Sequence, residues 1–311
     1  MARGPERLPS FGGRTAVVTG ANSGIGWQTA AQLAERGAVV TLACRRLEAA
    51  RQARDRICTR HPAAHVRVTQ LDLASLSSVA SFAGQWRGPL DLLVNNAGVM
   101  APSTWRPTED GFELQFGVNH LGHFALTARL LPALLCAESP RVVTVSSLAH
   151  RSGGTDVVDG NPAATYRPQP AYANSKLANL LFARELQRRA AEHHSRLTST
   201  AAHPGLSATG LVRDREGMGS MGLVRLVSPL ILKVILQPAA HGANPTLYAA
   251  TQAPPGSYSG PQRFGETRGP VGPATTSPIA QDGALASKLW DVSERLTGLR
   301  YRWPTPPPNA T

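Results

Sequence analysis

Short apolar runs rich in Val, Leu and Ala recur along the chain, and longer stretches between them carry apolar residues at every third or fourth position. The runs predict strands at 16–19, 39–44, 66–71, 92–95, 142–146 and 197–202. The intervening periodic stretches predict helices at 25–36, 47–60, 75–86, 120–136 and 172–193. A further helix at 239–250, a short strand at 257–260 and a last helix at 279–296 complete the pattern. Strands alternating with helices build a parallel sheet covered on both faces, because each parallel connection needs a crossover. The expected fold is therefore α/β, a single doubly wound domain over residues 13–299 with a parallel sheet of about seven strands flanked by helices.

Two segments fall outside this rhythm. Residues 152–170 are rich in Gly, Pro, Asp and Asn and read as a long loop, a length that usually carries function or motion. The proline-rich stretch 304–311 reads as a disordered tail.

Composition narrows the classes. With 42% hydrophobic and 17% charged residues, the 311-residue chain can bury a core, which excludes disordered, collagenous and coiled-coil classes. The net charge of +12 comes from 29 Arg and 3 Lys scattered without a basic run, so no nucleic-acid partner is expected. Cys44, Cys58 and Cys136 are odd in number and unclustered, which fits neither a disulfide framework nor a zinc ribbon and leads to a cytoplasmic expectation. No secretory signal is read in residues 1–13, and no segment reads as a transmembrane span. The longest apolar stretch, 221–237, is interrupted by Arg225, Pro229 and Lys233 and reads as a pocket cover, with a place on a membrane surface as the alternative.

The chemistry begins at Gly20-Ala21-Asn22-Ser23-Gly24-Ile25-Gly26, which closes the first strand and opens the first helix. Glycines here allow a sharp turn and a close approach of backbone to a pyrophosphate, and the helix N-terminus offers unpaired N–H groups to the anion. Asn95-Asn96-Ala97-Gly98 follows the fourth strand, and Tyr172-x3-Lys176 puts a phenol and an ammonium on one helix face. These three motifs, in this order, resemble the short-chain dehydrogenase/reductase family. Val118-Asn119-His120-Leu121-Gly122-His123-Phe124 and Leu289-Trp290-Asp291-Val292-Ser293 are similar to the branch that contains retinol dehydrogenases and protochlorophyllide reductase.

The resemblance implies a Rossmann-type fold and a site made of Asn119, Ser147, Tyr172 and Lys176, with Ser146 as the competing serine. In relatives the asparagine holds a water that connects the lysine to solvent. Tyr172 would act as general acid or base. A neighbouring ammonium and an oxidised nicotinamide are expected to bring its phenol from about 10 towards neutrality, which takes roughly 4 kcal/mol. The resemblance also assigns Asp72 and Leu73 to the adenine end of a dinucleotide, and Asn95, Ala97 and Gly98 to the adenosine pocket. Pro204, Gly205 and Thr209 would hold the nicotinamide, and Tyr172 and Lys176 would also touch the cofactor.

Where a ribose-binding acid would end the second strand, the chain has Arg45 and Arg46, two guanidiniums suited to a 2′-phosphate. NADP(H) is the expected cofactor and NAD(H) the second choice. The expected partner is a small apolar carbonyl or alcohol, and the resemblance implies pairing into a homodimer or homotetramer. A catalytically silent NADP-sensing protein on the same fold is the alternative. His120 and His123 lack ligating neighbours in sequence, so they are expected to pack rather than bind metal.

Overall fold

The computed structural model describes residues 9–206 and 238–303. Its strands form one sheet in the order β3-β2-β1-β4-β5-β6-β7-β8. The strands are β1 (Thr15–Thr19), β2 (Val39–Cys44), β3 (His65–Gln70), β4 (Leu92–Asn95), β5 (Arg141–Val145), β6 (Thr198–Ala202), β7 (Tyr258–Arg263) and β8 (Arg268–Pro273). All neighbours run parallel except β7 and β8, which form an antiparallel hairpin. The expected seven strands therefore become eight. The eighth reads Arg-Gly-Pro-Val-Gly-Pro, and such Gly and Pro content is tolerated on an edge strand while giving no alternating signal.

Helices α1 (Gly24–Glu35), α2 (Leu47–Arg60), α3 (Leu76–Gln85), α4 (Gly122–Leu135), α5 (Pro168–Glu192), α6 (Ala239–Thr251) and α7 (Gly283–Thr297) flank the sheet. Two layers of core result. One packs α1, α2 and α6 on one face through residues such as Leu33, Ile57 and Leu247. The other packs α3, α4 and α5 on the opposite face through Phe82, Leu130 and Phe182. The chain order reverses between β1 and β4, so their carboxyl ends border a crevice, the usual ligand position in open α/β sheets.

Two expectations change in the middle of the chain. The helix expected at 120–136 starts earlier: a helical turn at Leu114–Phe116 runs into a π-helical turn, Gly117–Leu121, and then into α4. An apolar stripe of period 3.6 does not reveal one extra residue in a turn, and such turns often mark functional sites. The loop expected at 152–170 is mostly exposed, but it carries 3₁₀ turns at Thr155–Asp159 and Ala163–Thr165 after one at Leu148–Ser152, and α5 begins at Pro168. Val157 of this segment is fully buried in the core.

Glu113 fastens that segment to the π turn. Its carboxylate accepts from the N–H groups of Gln115 and Phe116 at 2.9 and 2.8 Å and from Asn161 Nδ2 at 2.9 Å. Burial pushes its pKa up, and those donors pull it back. Removing the acceptor would leave three donors in a dry environment at about 1–3 kcal/mol each before relaxation. Glu113→Ala is therefore expected to lose about 2–5 kcal/mol in denaturant unfolding, and Glu113→Gln less.

Candidate active site

The sharp turn after β1 exists because Gly20 has φ +64° and because a side chain there would press on the Ala97 backbone at 3.0 Å. Gly26 is required by proximity: a Cβ would stand 2.4 Å from Asn96 Nδ2 and 2.7 Å from the Gly20 carbonyl oxygen. Asn22, Ser23, Gly24 and Ile25 complete the turn, and the Ser23 side chain does not cap α1. The first N–H groups of that helix are thus left for another acceptor, the arrangement that holds phosphate anions. A tight turn that only glycine permits at 20 and 26, ending in a helix N-terminus with no side-chain cap, fits a dinucleotide pyrophosphate.

Across the crevice, Thr19 Oγ1 accepts from the N–H groups of Asn96 and Ala97, both at 2.9 Å, and Asn96 Nδ2 donates to the Thr19 carbonyl at 2.8 Å. These bonds tie the end of β1 to the end of β4. Asn95 points elsewhere. It is completely buried and donates to Thr127 Oγ1 at 3.1 Å, so it anchors α4 and does not wall a pocket. Asp72 shapes its own loop, accepting from Ala74 N at 3.0 Å, and Leu73 packs beneath Gly122.

At the end of β2, Arg45 and Arg46 are exposed. The buried Cys44 thiol accepts from the backbone of Ala21 and Asn22, although burial pushes its pKa up to about 11. Arg56, on α2, reaches the same turn through the Asn22 carbonyl at 3.3 Å. Trp27 lies between Arg56 and Arg60, each guanidinium 5.0 Å from its ring. Sequence patterning missed Arg56, because a lone arginine on a polar helix face carries no signal.

The four residues assigned from the resemblance come together. Ser147 lies close enough to the Tyr172 hydroxyl to lower the proton affinity of the phenol, and Lys176 Nζ lies 5.7 Å from the centre of the Tyr172 ring. Lys176 Nζ donates to the Val145 carbonyl at 3.3 Å. A Cβ on Gly98 would stand 3.1 Å from Asn119 Oδ1 and 3.4 Å from Lys176 Nζ, so both groups border the crevice floor there. Ser146 is excluded from the role: it is buried and donates to the Lys176 carbonyl at 2.7 Å.

Asn119 sits in the π turn, where its amide accepts from Val99 N at 2.8 Å and donates to Val99 O at 3.0 Å and Ser175 Oγ at 2.9 Å. Its side chain is fully engaged, which leaves the main-chain carbonyl for further chemistry. Ser147 is fixed from behind, its carbonyl accepting from His150 Nδ1 at 2.7 Å and from the Tyr258 hydroxyl at 3.3 Å.

Burial dominates the proton affinities. It pushes the Tyr172 phenol up to about 12, with the Ser147 side chain pulling the other way. The same desolvation lowers Lys176 to about 8. The expected depression invokes the Lys176 ammonium together with an oxidised nicotinamide; in the protein alone desolvation sets the direction, which is upwards.

His203 ends β6, and its Nδ1 accepts from Gly205 N at 3.2 Å, turning the backbone at Pro204-Gly205. Thr209 and the apolar stretch 217–237 lie outside the described residues. His120 donates to Ser293 Oγ at 2.7 Å and so fastens α7 to the π turn. Among the described residues no group of His, Cys, Asp and Glu is placed to hold a metal ion, and no helix is long and apolar enough to cross a membrane.

Comparison with known proteins agrees with this geometry. The model of the short chain dehydrogenase family matches residues 14–218. Retinol dehydrogenase 13 of Homo sapiens is 41% identical, covering 92% of this chain and 85% of its own length. The chloroplastic short-chain dehydrogenase TIC 32 B of Brassica napus is 37% identical, with 91% and 88% covered. Among solved structures, an uncharacterized protein from Mycobacterium paratuberculosis superposes with TM-score 0.80 at 43% identity, covering 97% of this chain and 100% of the other. A chain described as an NAD(P)-dependent gluconate 5-dehydrogenase from Beutenbergia cavernae, with NADP bound at low occupancy, gives TM-score 0.59 at 27% identity, covering 78% and 92%. With this family model and these relatives, and with Ser147, Tyr172 and Lys176 gathered just past the carboxyl end of the central strand β5, the chain belongs to the short-chain dehydrogenase family.

Proposed function

We propose that this protein is an NADP(H)-dependent oxidoreductase acting between the carbonyl and alcohol forms of a small apolar molecule, with Tyr172 as the proton-transfer residue. The observation that carries the reading is the Ser147 side chain next to the Tyr172 phenol, with the Lys176 ammonium beside that ring, just past the carboxyl end of β5. When bound, a nicotinamide cofactor supplies or accepts the hydride. Gly20, Asn22, Ser23, Gly24, Ile25 and Gly26 would hold its pyrophosphate, and Ala97, Gly98, Pro204 and Gly205 would border it.

The residues of the chain manage the proton. A phenol held near 12 is neutral at pH 7, so Tyr172 is in the form that donates to a carbonyl oxygen. Ser147 donates a hydrogen bond to the same oxygen as negative charge develops there. Lys176 at about 8 remains mostly charged at pH 7 and stabilises the phenolate that the transfer leaves. In the alcohol-oxidising direction each step reverses, with Tyr172 taking the proton.

The choice of NADP(H) rests on Arg45 and Arg46 exposed at the end of β2, with Arg56 reaching the same turn. A guanidinium bonded to a phosphate contributes about 1.5–3 kcal/mol. Arg45→Asp is expected to weaken NADPH binding roughly ten- to a hundredfold while NADH binding holds or improves. Fluorescence titration of both cofactors checks it, and equal NADPH affinity in the variant refutes the assignment.

The reaction itself is tested by screening apolar aldehydes and ketones with NADPH, and retinol with NADP, through the absorbance of the reduced cofactor. Retinol belongs in the panel because relatives carry it in their names. No turnover of any of them would count against the reading. The cytoplasmic expectation rests on three cysteines that are all free thiols.

For assembly, the resemblance implies pairing through the helix that carries Tyr172. Trp290 of α7 covers part of that helix, stacked on Phe182 at 5.9 Å and lying 4.5 Å from the Arg189 guanidinium. A dimer formed there would have to accommodate this packing, and light scattering measures the mass.

A further inference from the structure

His123 is completely buried, shares the 118–124 motif with Asn119 but is given no chemical role by the resemblance, and touches both halves of the site. Its Nε2 lies 2.8 Å from Thr19 Oγ1, and its Nδ1 lies 3.0 Å from the Asn119 carbonyl oxygen. Counting donors fixes the proton. Thr19 Oγ1 already accepts from Asn96 N and Ala97 N, which fills both of its lone pairs. Its own hydrogen must go to an acceptor, and His123 Nε2 at 2.8 Å is nearer than the Val94 carbonyl at 3.3 Å. Nε2 is therefore unprotonated. The other end demands the same tautomer independently, since a carbonyl oxygen can only accept and Nδ1 must carry hydrogen to bond it.

We propose that His123, neutral and protonated on Nδ1, is a positioning residue that ties the dinucleotide cradle at Thr19 to the Asn119 carbonyl in the π turn. The inference rests on the oxidoreductase reading given above and extends it. A continuous line of hydrogen bonds runs from the Asn96 and Ala97 backbone through Thr19 and the imidazole to Asn119. The Asn119 amide is spent on Val99 and Ser175, and the imidazole adds a hold on the main-chain carbonyl of the same residue.

The charge state is consistent with this line. Burial lowers His123 to about 4, its bond to Asn119 opposes that shift, and the nearby Lys176 ammonium adds to it. The other titratable group close by is His120, one turn earlier, which burial lowers to about 3. A second cation at His123 would stand against Lys176, whereas a neutral ring leaves the ammonium undisturbed.

The tautomer is read directly by long-range ¹⁵N–¹H correlation on the intact protein. The expected pattern is hydrogen on Nδ1 and none on Nε2, unchanged from pH 5 to pH 9. Hydrogen on Nε2, or titration within that range, overturns the proposal.

Two variants then separate the ends of the bridge. The Asn side-chain amide can take the place of Nδ1, whereas the longer Gln side chain reaches the place of Nε2. With NADPH and nonanal as the probe pair, His123→Asn is expected to keep kcat within about threefold. His123→Gln is expected to lose about tenfold or more in kcat, with NADPH affinity changed by less than threefold. Equal kcat in the two variants, or losses in kcat that follow the losses in Tm, would show a role in packing alone and overturn the proposal. If the unmodified protein reduces no carbonyl probe, the oxidoreductase reading fails, and the tautomer measurement still decides the assignment of His123.

Discussion

Turnover of any substrate found for this protein is expected to fall by at least a thousandfold in Tyr172→Phe, while NADPH affinity stays within about threefold. The substitution removes one oxygen and leaves the ring in place against Lys176. Without the hydroxyl, a carbonyl oxygen gaining negative charge would have Ser147 as a hydrogen-bond donor and no acid to neutralise it. General acid catalysis contributes about 10²–10⁴-fold, and leaving Ser147 without its phenol partner adds to the loss. The cofactor cradle is built at Gly20, Gly26, Thr19 and Asn96, away from the phenol, so binding should persist. Stopped-flow turnover together with equilibrium titration of NADPH separates the two quantities. Turnover within tenfold of the unmodified protein would remove Tyr172 from the mechanism. A parallel collapse of NADPH affinity would make it a binding residue.

The contrast between Tyr172 and His123 shows what the chain discloses before it folds. Tyr172 and Lys176 lie one helical turn apart, so their shared face follows from the period of the α-helix. The glycines at 20, 24 and 26 were likewise legible, because a strand-to-helix turn with that spacing has few alternatives. The strands from β1 to β6 fell within a residue of their expected limits; β1, β2, β4 and β5 are buried apolar runs, whereas the edge strand β3 is half-exposed and alternates. His123 gains its meaning from Thr19, which lies 104 positions away, and no local pattern encodes that distance.

The same holds for Glu113, whose partner Asn161 lies 48 positions on, and for the segment between Ser147 and Tyr172. That segment read as a loop because its Gly and Pro content masked three short turns and a buried Val157. Asn95 and Asn96 show the limit from another side. They are adjacent and identical in type, and only the sheet decides that one anchors α4 while the other crosses the crevice to Thr19. The surroundings of the phenol were illegible for a further reason. Two cations were expected to lower it, yet burial raises the group they would act on, and burial is a property of the whole fold.

Lys176 supplies the prediction in which function and stability pull in opposite directions. Lys176 is 5% exposed, and its ammonium donates to the Val145 carbonyl at 3.3 Å. Desolvation lowers its pKa from 10.5 to about 8, so the folded state binds this proton less firmly than the unfolded chain does. Below pH 8 both states carry the charge and the folded state bears the penalty in full. Between pH 8 and 10.5 the folded state releases its proton first, and the penalty fades as pH rises. Each pH unit of the difference corresponds to about 1.4 kcal/mol, which gives a penalty of roughly 3 kcal/mol at pH 7.

Lys176→Met keeps an unbranched chain of similar reach without the charge. It is therefore expected to unfold at a higher temperature at pH 7, with the gain shrinking towards pH 10. Its turnover should drop by a hundredfold or more, because the phenolate formed on Tyr172 loses its neighbouring cation. The pH profile supplies the discriminating measurement. Carbonyl reduction by the unmodified protein should decline through a midpoint near pH 8, where Lys176 loses its charge while Tyr172 keeps its proton. In Lys176→Met the residual rate should be flat from pH 7 to 10. A surviving limb near pH 8 would assign that titration to another group, and an unchanged or lowered Tm at pH 7 would show that the protein solvates this ammonium better than its burial implies.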